Sequence, residues 1–478
     1  STNIRLRSFS IKDELINATQ IKLANTVNDA LSLSGYNTAD ATTSNAVQVT
    51  GSITDSLNNL YDASNGGGGS RAAVLNTAIA GDNDLNIVVS DTKLVSGNFG
   101  ALNSVLGNGS HTGTVTATVE GTATDINTNL TGLADTDVIT FTVTGGTKAN
   151  LADVDTKTNQ VIAVSDITDT IGNITDVEND ADLNLDNADI TISGTISKSD
   201  YDTANSYNSS SGTTSFSTIS DNYTNLNAMG SLLNGKTVTA TGQLTIAQLT
   251  QLQTYSAGSL SYNLTDSRSN LLAASDSKLQ GAGTVTVNTD DTLSIANIAA
   301  LALKDSGTDP SYSTITDTAA VLGGSADNAA RMNGKTIVIN DNATATQYRQ
   351  AISNAGAGSV SGAVVDTASA NLASGTAALT GATSIKLTVQ NSDKDFTGTT
   401  FLSNVDFDLN GQTGVLFNID DIDNRTITDS GSGGTYFISD TFANISTAGA
   451  NDGTNATDES KFIKSLLNNF FLTRRDNF

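Results

Sequence analysis

Hydrophobic and polar residues alternate in short runs along most of the 478-residue chain. The run ITFTVT at 139–144 places its apolar residues on one face of an extended strand and its threonines on the other. Similar alternation occurs at Thr284–Val287 and at Ile190–Gly194. The clearest helical spacing inside the chain lies at Leu244–Leu252. The pattern therefore predicts half-buried β-strands with short helices between them.

A short phrase recurs after such runs: Ser or Thr, then Asp, and then, four residues after the Asp, an Asn followed by Leu or Ile. The Asp residues of this phrase are Asp55, Asp125, Asp169, Asp221, Asp266 and Asp440, and looser copies contain Asp317 and Asp366. From 125 to 366 these residues fall roughly every 44 to 52 positions, which indicates a stacked repeat. We expect each Asp to be a helix N-cap, the Leu or Ile to point inward, and the Asn to bond to a neighbouring turn.

A second phrase supports the same period. The sequence LNGKTV at 233–238 returns as MNGKTI at 332–337, and each copy is followed at the same distance by a Thr and a Gln (Thr245 and Gln248; Thr344 and Gln347). The two copies are about two repeats apart. The chain is therefore predicted to be mainly β: a β-solenoid-like stack of repeats of about 49 residues, with short interspersed helices and helical segments at both termini.

Both ends carry amphipathic segments that either cap the stack or connect subunits. A capping-box-like pair, Ser10 and Asp13, predicts a helix that ends near Gly35. Helical spacing predicts a second helix containing Phe462, Ile463, Leu466, Leu467, Phe470 and Phe471. We interpret the chain as a basic N-terminal segment and helix (1–44), degenerate β-rich repeats with a Gly-rich loop (45–187), regular strand and short-helix repeats (188–382), degenerate terminal repeats (383–457), and a C-terminal amphipathic helix and tail (458–478).

The net charge of −26 is unevenly distributed. Residues 1–22 carry +2 and residues 461–478 carry +3, which leaves −31 on the residues between them. A polyanionic body argues against nucleic acid and anionic membranes as partners, and no apolar stretch is long enough to span a bilayer. We expect the basic segment with Arg5 and Arg7, or the Phe462–Phe471 helix, to engage the acidic face of another copy of the chain.

The residue inventory leaves little for catalysis. His111 is the only histidine and there is no cysteine, so Ser-His-Asp, Cys-His and histidine-based zinc sites are excluded or nearly so. Glu is scarce and Trp is absent, which disfavours a glycoside hydrolase. Residues 230–237 match the phosphate-loop pattern G-x-x-x-x-G-K-T, but a strand-like run follows Lys236 where that loop needs a helix. We therefore expect a protein that is not an enzyme.

Clusters of oxygen donors predict calcium as the one candidate cofactor. The candidate ligands are Asp182, Asn184, Asp186, Asp420, Asp421 and Asp423. The stretch from Asp182 begins like an EF-hand loop but has Asn187 at its sixth position and Ser193 at its twelfth, where that loop has Gly and Glu. Solvated turns without metal are the alternative.

The Thr-Val-Thr strands, the T-x-x-Q turns and the sequence YNLTDSRSNL at 262–271 resemble the β-strand repeats of large secreted bacterial surface proteins. The likeness is strongest to cyanobacterial S-layer-like and calcium-repeat-associated exoproteins, and it covers roughly residues 45–445. It implies export without a cleaved signal, an extracellular or cell-surface location, and a structural or adhesive role. The chain departs from that pattern because it lacks Gly-Gly-x-Gly-x-Asp calcium nonapeptides.

These observations favour a structural subunit of an extracellular polymer, such as a filament, sheath or S-layer-like assembly, joined head to tail through its termini. One alternative is a surface adhesin or viral-type fibre that binds a cell-surface glycan, with residues 61–110 as its tip. Another is a β-helix enzyme acting on acidic polysaccharide, which would need a basic cleft that this charge pattern does not offer.

Overall fold

The computed structural model describes residues 10–11, 48–49, 52–61, 86–108, 111–133, 137–208, 211–289, 291–324, 326–422 and 425–439. Both predicted terminal helices lie almost wholly outside these ranges. Ser10–Ile11, the described part of the first one, is a short strand that pairs in parallel with Gln48–Val49.

The mainly β class expected from the sequence is wrong. Helix and strand each occupy about a third of the chain, and they form α/β layers with parallel sheets. Segments such as Ser96–Asn108, Ile295–Lys304 and Ala345–Ala355 are full helices rather than turns. Ser96–Asn108 is rich in Gly, Ser and Asn, which weakens its period of 3.6 residues, whereas Ile295–Lys304 and Ala345–Ala355 each bury one face of the helix.

The strands are β1 (Ser10–Ile11), β2 (Gln48–Val49), β3 (Ser52–Asp55), β4 (Asn86–Val89), β5 (Leu94–Val95), β6 (Val115–Gly121), β7 (Val138–Val143), β8 (Ile162–Val164), β9 (Asp166–Asp169), β10 (Leu183–Asn184), β11 (Asp189–Ile196), β12 (Thr214–Asp221), β13 (Thr237–Leu244), β14 (Ser259–Asp266), β15 (Val285–Val287), β16 (Thr314–Asp317), β17 (Thr336–Ala343), β18 (Ser359–Asp366), β19 (Ala382–Thr388), β20 (Val405–Asp408), β21 (Val415–Phe417), β22 (Ile427–Thr428) and β23 (Tyr436–Ile438).

The helices are α1 (Leu57–Leu60), α2 (Ser96–Asn108), α3 (Ala123–Asn129), α4 (Lys148–Asp155), α5 (Ile171–Glu178), α6 (Lys198–Tyr207), α7 (Tyr223–Met229), α8 (Ile246–Gln253), α9 (Arg268–Ala273), α10 (Asp276–Gln280), α11 (Ile295–Lys304), α12 (Ala319–Leu322), α13 (Ala326–Met332), α14 (Ala345–Ala355) and α15 (Ile419–Ile422). Among the described residues, Gly230–Leu233 and Ser369–Leu372 form 3₁₀ turns.

The chain divides into two compact units, one made of residues 1–241 with 251–260 and the other of 242–250 with 261–478. In the first unit the strand orders are β10-β8-β7-β6-β4-β3, with β5 also on β6, and β9-β11-β12-β13. In the second unit they are β14-β15, β16-β17-β18-β19-β20-β22 and β21-β23. Neighbours in these orders pair in parallel, which requires a crossover between paired strands that a helix commonly supplies.

Each repeat of about 49 residues contains two strands and the helices that follow them, in the order that the sequence pattern predicts. Between Asp317 and Asp366 the chain runs through α12 and α13 to β17, and then through α14 to β18. The two pairs differ in how their main helix begins. One follows the Asp phrase, and the other follows a T-x-x-Q capping box such as Thr344 with Gln347.

Burial follows the predicted alternation. Ile139, Phe141 and Val143 of β7 are fully buried, which confirms this strand and its inward face. The Leu of the Asp phrase is also buried, as at Leu226 and Leu271, so its inward direction is confirmed. The phrase at Asp125 is not a copy of the repeat, because Asp125 lies inside α3 and the N-cap of that helix is Thr122.

Candidate functional site

The calcium ligands predicted around Asp182 are only partly brought together. The carboxylate oxygens of Asp155, Asp180 and Asp182 lie within 4.8 Å of one another. Asn184 and Asp186 instead bond to each other, with Asn184 Nδ2 donating to Asp186 Oδ2 at 3.2 Å and the Asp186 N–H donating to Asn184 Oδ1 at 2.9 Å. Because Leu183–Asn184 is a strand, the segment cannot wrap as an EF-hand loop.

Asp155 is the member of this cluster that the sequence reasoning missed. It ends α4 and approaches the loop that carries Asp180 and Asp182 about one strand–helix pair later. Burial, and then the charges of Asp180 and Asp182, raise the pKa of Asp155. Three carboxylates of this kind suit a hard divalent cation such as Ca²⁺, with water completing the coordination.

The second predicted calcium cluster is not assembled as expected. Asp420 and Asp421 lie on α15, and Asp423 is outside the described residues. Asp420 is exposed, whereas Asp421 is only 3% exposed and lies near Arg425, whose guanidinium stacks over Phe407 at 5.7 Å. Burial raises the pKa of Asp421, although the charge of Arg425 opposes it. Asp421 Oδ2 and Arg425 Nη1 are both buried without a hydrogen-bond partner, so Arg425 acts on Asp421 through its charge and not through a direct ion pair.

The most regular polar feature joins successive strand–helix pairs. At nine junctions of the described residues a carboxylate in or just beyond one strand accepts the backbone N–H of the first residue of a helix that lies about one strand–helix pair earlier in the chain. We call this series the aspartate ladder. Its donor and acceptor pairs, at 2.5 to 3.3 Å, are Leu57 and Asp91, Lys148 and Asp169, Lys198 and Asp221, Ile246 and Asp266, Arg268 and Asp291, Ile295 and Asp317, Ala319 and Asp341, Ala345 and Asp366, and Ser369 and Asp393.

Asp221 shows the geometry of one junction. Its Oδ2 accepts the Lys198 N–H at 2.9 Å, and its Oδ1 accepts the Asn222 N–H at 2.7 Å and Asn225 Nδ2 at 2.8 Å. The N-cap of the following helix is Asn222, whose side chain accepts the Asn225 N–H. The expected capping role of the phrase Asp is therefore wrong. The Asp serves the preceding helix, whose first N–H groups have no partner within that helix.

The Asn of the phrase also differs from expectation. Asn173, Asn225 and Asn270 each donate from Nδ2 to the Asp of their own phrase at 2.8 Å rather than to a neighbouring turn. One helical turn separates the two positions, so the amide folds back onto the strand end. It thereby holds the carboxylate that reaches the preceding helix.

Two ladder carboxylates, Asp169 and Asp221, have a pKa below the ordinary value for aspartate. Burial of Asp221 would raise its pKa, but the Lys198 N–H, the bonds from Asn225 and Asn222 and the charge of Lys198 together lower it. Asp169 behaves alike: its pKa is lowered by bonds from Asn173, Lys148 and Thr170 and by the charge of Lys148, against the effect of burial.

The remaining candidate residues have simpler settings. The interaction residues predicted at the termini, from Arg5 and Arg7 to Phe462–Phe471, lie outside the described residues. His111 follows α2 and donates its N–H to the Leu106 carbonyl at 3.2 Å. The phosphate-loop look-alike passes from a 3₁₀ turn directly into β13 at Thr237, so no helix opens at Lys236.

No family model, no curated protein and no solved structure matches this chain. The resemblance to bacterial surface proteins therefore stays a prediction. Within the described residues, none of the helices combines the length and apolar character that crossing a membrane requires.

Proposed function

We propose that the protein is a structural subunit of an extracellular polymer and not an enzyme. The observation that carries this proposal is the aspartate ladder, which repeats one bonding scheme from Leu57 to Asp393. A chain in which carboxylates repeat one bond at many junctions is organised as a series of similar structural units rather than around one reactive centre.

The charge distribution supports a way of joining copies. The few cations of the described body are often held by acids of other elements, as Lys148 is by Asp176, Lys304 by Asp276 and Arg331 by Asp309. The body therefore stays strongly acidic, while the chain ends are basic. A basic end that engages the acidic body of the next copy makes a head-to-tail contact, and such a contact gives a filament or lattice when it does not close into a ring.

Two deletions test this joining scheme. Removal of residues 1–22 or of residues 459–478 should leave the circular dichroism of the body unchanged and abolish polymers in sedimentation velocity. A matched control exchanges Arg5 and Arg7 for Lys, which keeps the charge and should keep the polymers. Polymers of normal length in both deletion variants would contradict the proposal.

A second candidate, a glycan-binding surface protein, is favoured by one observation. The sheet face opposite the buried residues carries matched rows of hydroxyls, such as Thr168, Thr191 and Ser215, and Thr191 Oγ1 lies 2.9 Å from Ser215 Oγ. Retention on insoluble neutral polysaccharide that is lost in Thr191→Lys would support this candidate. Equal retention of the variant would exclude that face.

A further inference from the structure

We propose that the aspartate ladder contains an acid-sensitive lock at Asp169 and Asp221, where protonation of the carboxylate releases α4 and α6 from the strand–helix pair that follows each of them. The proposal concerns the body of the protein and does not depend on how copies of the chain assemble.

The lock follows from the hydrogen-bonding roles at each junction. All partners of Asp221 described above are donors: two backbone N–H groups and the amide of Asn225. An ionised carboxylate accepts all three, but a protonated one carries a hydrogen of its own and can no longer serve every donor. Protonation of Asp221 therefore breaks the bonds from Asn222 and Asn225, the bond from the Lys198 N–H of the preceding helix, or both.

Charged neighbours hold the lock closed at neutral pH. Asp221 faces Lys198, the first residue of α6, which is also paired at 2.5 Å with Asp202 on the outside of that helix. Asp200 of the same helix forms a capping box with Ser197 at the start of that helix. The strand neighbour on the other side, Ala240, is neutral.

Asp169 has an equivalent setting. It faces Lys148, which pairs with Asp176 of α5 at 2.5 Å, while its strand neighbour Ile192 is apolar. At both junctions the charge of one lysine favours the ionised ladder carboxylate. The second acid paired with that lysine, Asp176 or Asp202, is exposed, so water screens its charge.

The direction of the pH effect follows from linkage. The pKa of Asp169 and that of Asp221 are lower in the folded chain than the ordinary value of 3.8. Their stabilisation is complete above that ordinary value and is lost as the pH falls below it through the lower folded value. A fall in pH therefore weakens the junctions of Asp169 and Asp221 together.

The test compares two variants of the full-length protein that change the same charge near the same lysine. Asp221→Asn alters a ladder carboxylate, and Asp202→Asn alters the exposed partner of Lys198. Urea midpoints are measured by circular dichroism between about pH 7 and pH 3. We expect Asp221→Asn to lower the midpoint at neutral pH and to flatten its fall in acid, while Asp202→Asn follows the parent protein. Parallel profiles for Asp221→Asn and the parent, or equal flattening by Asp202→Asn, would overturn the proposal.

A second measurement uses the parent protein and so does not depend on the folding of a variant. Titration of the aspartate carboxyl carbons by NMR in the intact protein should show Asp221 and Asp169 ionising below the pH at which aspartate in an unstructured peptide does. Loss of protection of the Lys198 and Lys148 amides should accompany their protonation. Ionisation of Asp221 and Asp169 at or above the pH found for the unstructured peptide would contradict the proposal.

Discussion

Replacing Asp266 with Ala removes the acceptor of three hydrogen bonds at one junction of the aspartate ladder. Asp266 is 7% exposed, and it accepts the Ile246 N–H at 2.9 Å, the Ser267 N–H at 2.7 Å and Asn270 Nδ2 at 2.8 Å. The variant leaves the backbone of β14 in place, so its effect reports on the carboxylate alone.

The expected loss follows from what happens to each donor. Asn270 is exposed and can turn its amide to water. The Ile246 and Ser267 N–H groups are partly buried and lose their acceptor, and each buried donor without an acceptor costs about 1–3 kcal/mol. We therefore expect Asp266→Ala to lower the free energy of unfolding by at most roughly 2–6 kcal/mol.

Asp276→Ala is the matched control. This variant also removes a carboxylate that accepts a hydrogen bond, from Lys304 Nζ at 2.9 Å, but the side chain of Asp276 is 60% exposed. An exposed pair contributes about 0–1 kcal/mol, so the control should stay close to the parent protein.

Hydrogen exchange measured by mass spectrometry locates the effect. In Asp266→Ala the amides at the start of α8 should lose protection while those of β14 retain most of theirs, and the urea midpoint should fall. The reasoning is refuted when Asp266→Ala is no less stable than Asp276→Ala, or when protection at the start of α8 is unchanged.

Three further predictions concern the core, the turns and the cation cluster. Leu226→Ala, at a fully buried position, should cost about 2–5 kcal/mol in urea unfolding, whereas Leu303→Ala, at a position 82% exposed, should change little. Gly381→Ala should be more destabilising than Gly307→Ala in the same assay. Both glycines have positive φ, but a Cβ on Gly381 would lie 2.2 Å from the Val360 carbonyl oxygen, whereas one on Gly307 meets nothing within 4 Å. Calorimetry should detect Ca²⁺ binding that Asp182→Asn weakens and Asp186→Asn leaves intact, and equal effects of the two variants would contradict the grouping of Asp155, Asp180 and Asp182.

The sequence predicts local features of this fold well. Alternation identifies β7 and its buried residues. The recurring Thr and Gln, which supported the period in the sequence, form a capping box at Thr344 and Gln347. These features depend on residues close together in the chain, so a periodic pattern or a cap can reveal them.

Features that depend on neighbouring strand–helix pairs were harder to predict. The phrase Asp looked like a cap for its own helix, yet Asp221 bonds to Lys198, which lies 23 residues earlier. Asp155 was missed for the same reason, since α4 brings it to a loop that follows the next helix. The helix content was underestimated because Gly, Ser and Asn weaken the apolar stripe of α2, and because the buried face of α14 consists mostly of alanine.

The central claim, that the protein is a polymer-forming structural subunit, is tested most directly by negative-stain electron microscopy of the full chain, with and without Ca²⁺ at matched ionic strength. The account predicts filaments or sheets with a regular subunit spacing, which are lost in the variant lacking residues 459–478. Single particles under every condition, at concentrations where the parent protein is folded, would contradict it.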